Sequence, residues 1–324
     1  MVVAVEQIEE EFESGDEESG EEEEMEVEGE GEGEGEEEDE EHISNSKSKG
    51  GLDKFWLLSN AKTNTSRIDA SSKIIKRLVS NPSESNYIMK RLLRGLASPV
   101  ETSRQGFFIC LVEFFRLNKM EASKLNSEIK TTLKVTGSKG EESLLLLGQI
   151  LANVALLRAG VPETKPEKVQ VLENLIENGS KRGYLNLIVI NAIIEYFLQE
   201  GSVITPTEVV DAIGNSFKLK ISEAGLDSLL FSIAFIKLHG KTVPAEFLVE
   251  HFGIKDVSKK NLESIYKIVM GTTIPLSMIV NHPLLKVLVE IVSEKKLGAK
   301  FFNHFTPDMA GSTYKGQIGI AVLR

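Results

Sequence analysis

The sequence predicts an all-α fold, an α-solenoid of paired antiparallel helices of the HEAT or armadillo kind preceded by a disordered acidic tail. Three observations carry that prediction. Beyond residue 50 the apolar residues recur with helical periodicity, and no convincing strand alternation competes with it. The helical segments return about every 17 to 24 residues, so that pairs of them make units of roughly 40, the period of two-helix solenoid repeats. The first 46 residues hold 23 Asp or Glu and neither Lys nor Arg. Glu-Gly-Glu tracts have too little apolar surface to offset the entropy of ordering a chain. No repeat consensus is legible, so the architecture is read from spacing alone.

The organisation that follows is a tail over 1–50, a solenoid over 51–305 and an irregular carboxyl end over 306–324. The 274 residues after the tail reach the size at which one compact core stops growing, which favours an elongated array. Helices are predicted near 66–80, 84–97, 100–117, 122–135, 142–159, 166–178, 183–199, 206–216, 222–238, 244–252, 258–270 and 283–297, with Gly, Pro, Ser or Asn between them. In the second of these, Ile88, Met89, Leu92, Leu93 and Leu96 fall on one side, and Tyr87, Lys90, Arg91 and Arg94 on the other. One side is core and the other cationic. The third is apolar nearly all round from Phe107 to Leu117, as a helix buried between neighbours must be. Pro99 suits its first turn, with Ser98 as N-cap. Gly95 and Gly106 mark either helix ends or places where backbones approach closely. After Phe305 the periodicity is lost, as in a truncated product or a short isoform.

Charge divides the chain. Removing the acids of the first 46 residues leaves 26 Asp or Glu against 37 Lys or Arg, a body surplus of 11 positive charges inside a formal total of −12. The single cysteine, Cys110, lies in the run FFICLVEFF, which excludes a disulfide framework and a Cys-based zinc site and suits a reducing compartment. The amino-terminal residues show neither a basic n-region nor an apolar h-region, so no signal peptide is predicted. The longest apolar stretch, Leu144–Leu157, is 14 residues broken by Gln149 and Asn153, so no membrane partner is predicted.

Nothing in the sequence gathers catalytic groups. Template-directed polymerisation needs carboxylates holding two metal ions about 3.5–4 Å apart, yet Asp53, Asp69, Asp211, Asp227, Asp256 and Asp308 are each more than ten residues from the next. The five histidines have no metal-ligand spacing, there is no GxSxG elbow, and Cys110 sits where its pKa should not fall. Gly137-Ser138-Lys139-Gly140 lacks the phosphate-loop spacing and reads as an interhelical turn. The prediction is a binding protein with no cofactor and no metal, not an enzyme.

The binding material is the basic stretch 47–104, in which twelve Lys or Arg face four acids. The candidate contacts are Lys73, Lys76, Arg77, Tyr87, Lys90, Arg91, Arg94 and Arg104. Six such side chains on phosphates would give log K a slope of about −5 against log salt, without base reading. The predicted partners are DNA or ribosomal RNA through phosphates, transcription factors or other nuclear proteins in the grooves, and basic proteins such as histones for the acidic tail. That tail could equally fold back on the basic helices, and Ser14 and Ser19 lie among acids where phosphorylation would deepen its charge. A transport or assembly adaptor that takes peptides in its grooves is the alternative.

Tyr87, Lys90, Arg91, Leu92, then Arg94-Gly95-Leu96-Ala97-Ser98, then Glu101, Ser103, Arg104, Gln105, Gly106 and Phe107, with Phe55, Trp56 and Arg67 upstream, form a signature over roughly fifty residues. It resembles the family that groups Myb-binding protein 1a with DNA polymerase phi, the fifth yeast DNA polymerase. Beyond Leu117 the resemblance is general, including His282-Pro283 before an amphipathic helix. It implies a large helical-repeat protein of the nucleus and nucleolus, acting on ribosomal RNA gene transcription and ribosome biogenesis and not through polymerase chemistry. Its members are several times longer than this chain. Nuclear placement rests on the resemblance, since Lys47-Ser48-Lys49 and Lys90-Arg91 are too sparse for a localisation cluster.

Overall fold

The computed structural model describes residues 49–309 apart from 119, 200, 273 and 274. The acidic stretch and residues 310–324 lie outside them, so the prediction of a disordered tail falls on residues not described. Among the described residues the chain is all-helical, with no strand. The helices are α1 (Lys49–Ser59), α2 (Asn64–Ser80), α3 (Ser85–Gly95), α4 (Glu101–Leu117), α5 (Ala122–Thr132), α6 (Lys139–Ala159), α7 (Lys165–Ser180) and α8 (Asn186–Tyr196). They continue as α9 (Pro206–Gly214), α10 (Leu226–His239), α11 (Ala245–Phe252), α12 (Leu262–Met270), α13 (Leu276–Val280), α14 (Pro283–Glu294) and α15 (Gly298–Met309).

Their stacking follows from which faces are apolar. Helix α4, apolar nearly all round, lies between α2 and α6 with α1 and α3 also against it, and Phe114 and Phe115 are fully buried. From there α6 packs on α8, α8 on α10 and α10 on α14, while α3 packs on α5 and α7 on α9. This helix-on-helix stacking is compatible with an α-solenoid. The joint between α5, α6 and α7 carries buried amides that hydrogen-bond across it. Gln149 donates to the Leu133 carbonyl at 2.7 Å, Asn153 to the Gln149 carbonyl at 2.8 Å, and Asn174 to Asn153 Oδ1 at 3.5 Å. These residues do not interrupt a core helix. They tie it to its neighbours, because buried amides keep their partners.

Helix ends follow local chemistry. Ser138 and Glu141 close a capping box on α6, as do Thr164 and Glu167 on α7 and Thr205 and Glu208 on α9. Pro206 and Pro283 stand in the first turns of α9 and α14, and Gly160 (φ 72°) and Gly253 (φ 75°) end α6 and α11 in the left-handed region. His282 caps α14. Its Nδ1 accepts from the Leu284 N–H at 3.2 Å, so Nε2 carries the proton and donates to Asp227 Oδ1 at 3.0 Å.

Several expectations are corrected. Helix α1 begins at Lys49, two residues inside the segment assigned to the tail; Gly50 and Gly51 in its first turn hid it from the periodicity. Helix α13 is only five residues long, too short for a period to show. Helix α15 continues to Met309, four residues past the expected boundary. The N-cap of α4 is Val100, not Ser98; the Ser98 hydroxyl instead accepts from the Val100 N–H at 3.2 Å. Helix α6 is 21 residues long, so by length and composition it could cross a bilayer, as could Leu276–Glu294. Its unbroken run Leu146–Leu156 is buried against the neighbouring helices.

Candidate nucleic-acid interface

The inward stripe of α2, Arg67, Ala70, Ser71, Ile74 and Leu78, recurs at helical spacing. Lys73, Lys76, Arg77 and Ser80 are thereby turned away from that core. After α2 the chain turns at Asn81 and enters a 3₁₀ turn, Pro82–Glu84, which carries Glu84 back toward Arg77. Lys54 of α1 completes the ring. Lys54, Lys73, Lys76, Arg77, Ser80, Asn81 and Glu84 line an open groove of about 650 Å³.

Four cations and one carboxylate line this groove. Arg77 Nε donates to Glu84 Oε2 at 2.5 Å; that bond holds the Glu84 carboxyl below the usual carboxylate range and raises Arg77 above its own. Lys73 lies 2.6 Å from Asp69 one turn earlier, an exposed pair of small energy. Lys76 has no ion pair among the described residues.

Helix α3 presents the adjoining face. Tyr87, 48% exposed, meets the buried Phe55 ring edge-on at 6.3 Å and stands near Arg77. Arg91, one turn on, places its guanidinium 5.4 Å over the same ring. Its Nε is buried without a hydrogen-bond partner, so stacking on Phe55 positions this half-buried arginine. Lys90 and Arg94 lie on the same side of α3 and make no ion pair among the described residues.

Of the eight candidate residues, Lys73, Lys76 and Arg77 meet in the groove, and Tyr87, Lys90, Arg91 and Arg94 share one side of α3. Arg104 is not among them. It is 3% exposed and donates to the Ser98 and Pro99 carbonyls at 2.8 Å each, where it pins the turn between α3 and α4. Its role as a phosphate contact is withdrawn. Spacing signals this burial, since Arg104, Phe108, Leu111 and Phe115 share one apolar stripe. Arg67 is likewise buried and donates to Asn64 Oδ1 at 2.7 Å. Lys54, in contrast, was no candidate, because the glycines at the start of α1 concealed the helix that places it.

The signature glycines permit close packing. A Cβ on Gly106 would lie 2.6 Å from the Leu58 carbonyl oxygen of α1, and one on Gly95, the last residue of α3, 2.2 Å from the Phe107 ring. Both helices bordering the basic face therefore sit hard against α4. Cys110 is buried beside Ser71, and burial pushes its thiol up to about 12, well away from a reactive thiolate. Among the described residues no three His, Cys, Asp or Glu side chains assemble as metal ligands.

These features define a class, an all-helical stack that presents a basic groove and a helix with a basic side near its amino-terminal end. The chain belongs to the DNA polymerase phi family, whose family model matches residues 87–305, from Tyr87 on α3 into α15. No curated protein and no solved structure matches it.

Proposed function

We propose that this protein is a non-enzymatic scaffold of the nucleus and nucleolus, a solenoid of the HEAT or armadillo kind, that binds DNA or chromatin through phosphates. Its process is ribosomal RNA gene transcription and ribosome biogenesis, a setting that rests on the family resemblance. The observation that carries the binding role is the convergence of Lys54, Lys73, Lys76 and Arg77 on one open groove. Such a surface attracts phosphates through counterion release, a contact that does not depend on base sequence. Transcription factors and other nuclear proteins are partners for the remaining surface, and basic proteins for the acidic stretch.

The reading as a binder also has support from the aspartates. Asp69 faces Lys73, Asp211 faces His251, Asp227 faces His282 and Asp256 faces Lys295, each on a separate part of the fold. A two-metal site needs such carboxylates together. Metal-dependent nucleotide incorporation by the pure protein would overturn this reading.

The test is retention of a labelled DNA duplex across a salt series by the full chain and by Lys76→Ala/Lys90→Ala/Arg94→Ala. We expect a steep slope in the first, shallower by about 3 in the triple variant. No retention by either at low salt would rule the interface out. Exposed apolar side chains on α1 and α2, Trp56 (65%), Ile68 (58%) and Val79 (68%), favour the second reading, a protein-binding adaptor. Salt-independent peptide binding would select it.

A further inference from the structure

We infer that the groove of Lys54, Lys73, Lys76 and Arg77 has an occupant within the same chain, the acidic stretch 16–41, held there as a polyanion that nucleic acid must displace. The inference rests on reading this groove as a phosphate site and adds its regulation.

Charge, tether and competition each support it. Residues 16–41 contain 18 Asp or Glu and no Lys or Arg, and the groove presents four cations against Glu84. Arg77 is already matched by Glu84, and Lys73 by Asp69 on its outer side. Lys76 and Lys54 share the groove with Glu84 and have no ion pair among the described residues. The acidic stretch ends at Glu41, and α1, which supplies Lys54, starts at Lys49. Eight residues span up to about 26–29 Å, and Lys54 is only about 7–8 Å along the helix from its start. The tether therefore ends on a wall of the groove itself, which no separate acidic protein can match.

Tethering also decides the strength. A short linker supplies an effective concentration of about 1 mM. If the acidic stretch holds the groove with a dissociation constant of about 0.1 mM, it weakens nucleic-acid binding about tenfold at low salt. The contact is displaceable, because its charges are exposed and salt shortens their range from about 10 Å at 0.1 M to about 3 Å at 1 M. Phosphorylation of Ser19, inside the stretch, would add about −1.5 to −2 and tighten the hold.

The experiment is zero-length carbodiimide cross-linking of the full chain, mapped by mass spectrometry, beside retention of a labelled 20-base-pair duplex. The comparison protein is the full-length chain with the acids of 16–41 changed to Gln or Asn. We expect amide cross-links from the stretch to Lys54, Lys73 and Lys76 at low salt, their loss at 1 M salt, and duplex binding about tenfold tighter in the neutralised chain. Cross-links spread over the body lysines in proportion to exposure, or none to the groove, would overturn the inference, whether or not the duplex binds. Groove cross-links in a protein that retains no duplex in either form would uphold the intramolecular contact and defeat the nucleic-acid reading instead. Groove cross-links with equal duplex binding by both proteins would show that the stretch does not compete, and would overturn its regulatory role.

Discussion

Helices α1 to α3 and helices α6 to α14 carry the same kinds of cation and use them differently. In the later part, beside local pairs such as Lys181–Glu177 and Lys267–Glu263, they bridge neighbouring elements: Arg158 of α6 to Glu195 of α8, Lys165 of α7 to Glu208 of α9, and Lys237 of α10 to Glu290 of α14. Arg182 reaches back to Glu142, and Lys295 to Asp256. In the early part the ion pairs are few and local, Asp69 one turn from Lys73 and Glu84 across a turn from Arg77, while Lys76, Lys90 and Arg94 have none among the described residues. Whether a cation is used within the stack or left facing solvent thus depends on what the next helix presents to it. Counting Lys and Arg does not tell the two apart.

The largest expected difference is in binding. Lys54→Ala/Lys73→Ala/Lys76→Ala should lower the salt slope of duplex retention by about 3, whereas Lys165→Ala/Lys237→Ala/Lys295→Ala should leave it unchanged; equal losses would abolish the distinction. Next is the closure of the later stack at His282. His282→Ala removes the α14 cap and strips Asp227 of its partner, for a loss of about 2 kcal/mol in urea unfolding with duplex retention intact. At the early end, Gly106→Ala forces a Cβ against the Leu58 carbonyl and should cost about 1–2 kcal/mol after the gain in helix propensity. Because α1 carries Lys54, this variant should weaken retention as well as lower the melting temperature.

Smaller effects separate the pairs themselves. Glu84→Gln leaves Arg77 without its carboxylate, and the slope should steepen by about 1. The Lys165 ammonium and the Thr205 cap hold the Glu208 carboxyl down to about 2 from an ordinary 4.5. Its folded value is the lower one, so its contribution is present above pH 4.5 and is lost as pH falls toward 2. Lys165→Ala should move the Glu208 titration, followed by carboxyl NMR, back toward the ordinary value. No movement would mean that the cap alone holds it.

Much of the fold was legible because helices α2 to α12 and α14 repeat apolar residues at a period the eye can count. The missed elements lacked that signal. Helix α1 opens on Gly50-Gly51, α13 has five residues, and α15 runs past the point where periodicity fades. For the basic face, the projection of α3 was sound, since Tyr87, Lys90, Arg91 and Arg94 do lie together opposite Ile88, Met89, Leu92 and Leu93. Arg104 failed as a surface contact because charge was counted without regard to stripe.

The sequence by itself determined the helical class, most helix boundaries, the acidic and basic division of the chain and the family signature, because these depend on local period, capping and composition. Tertiary structure alone decided that Lys54 joins Lys73, Lys76 and Arg77 in one groove, that Phe55 of α1 orders Arg91 of α3, and that Arg104 turns inward to the Ser98 and Pro99 carbonyls. Each of these depends on how far apart two helices lie and how they are rotated about their axes. That is set by the summed packing of α4 with its neighbours, including the close contact at Gly106, and no local pattern encodes it.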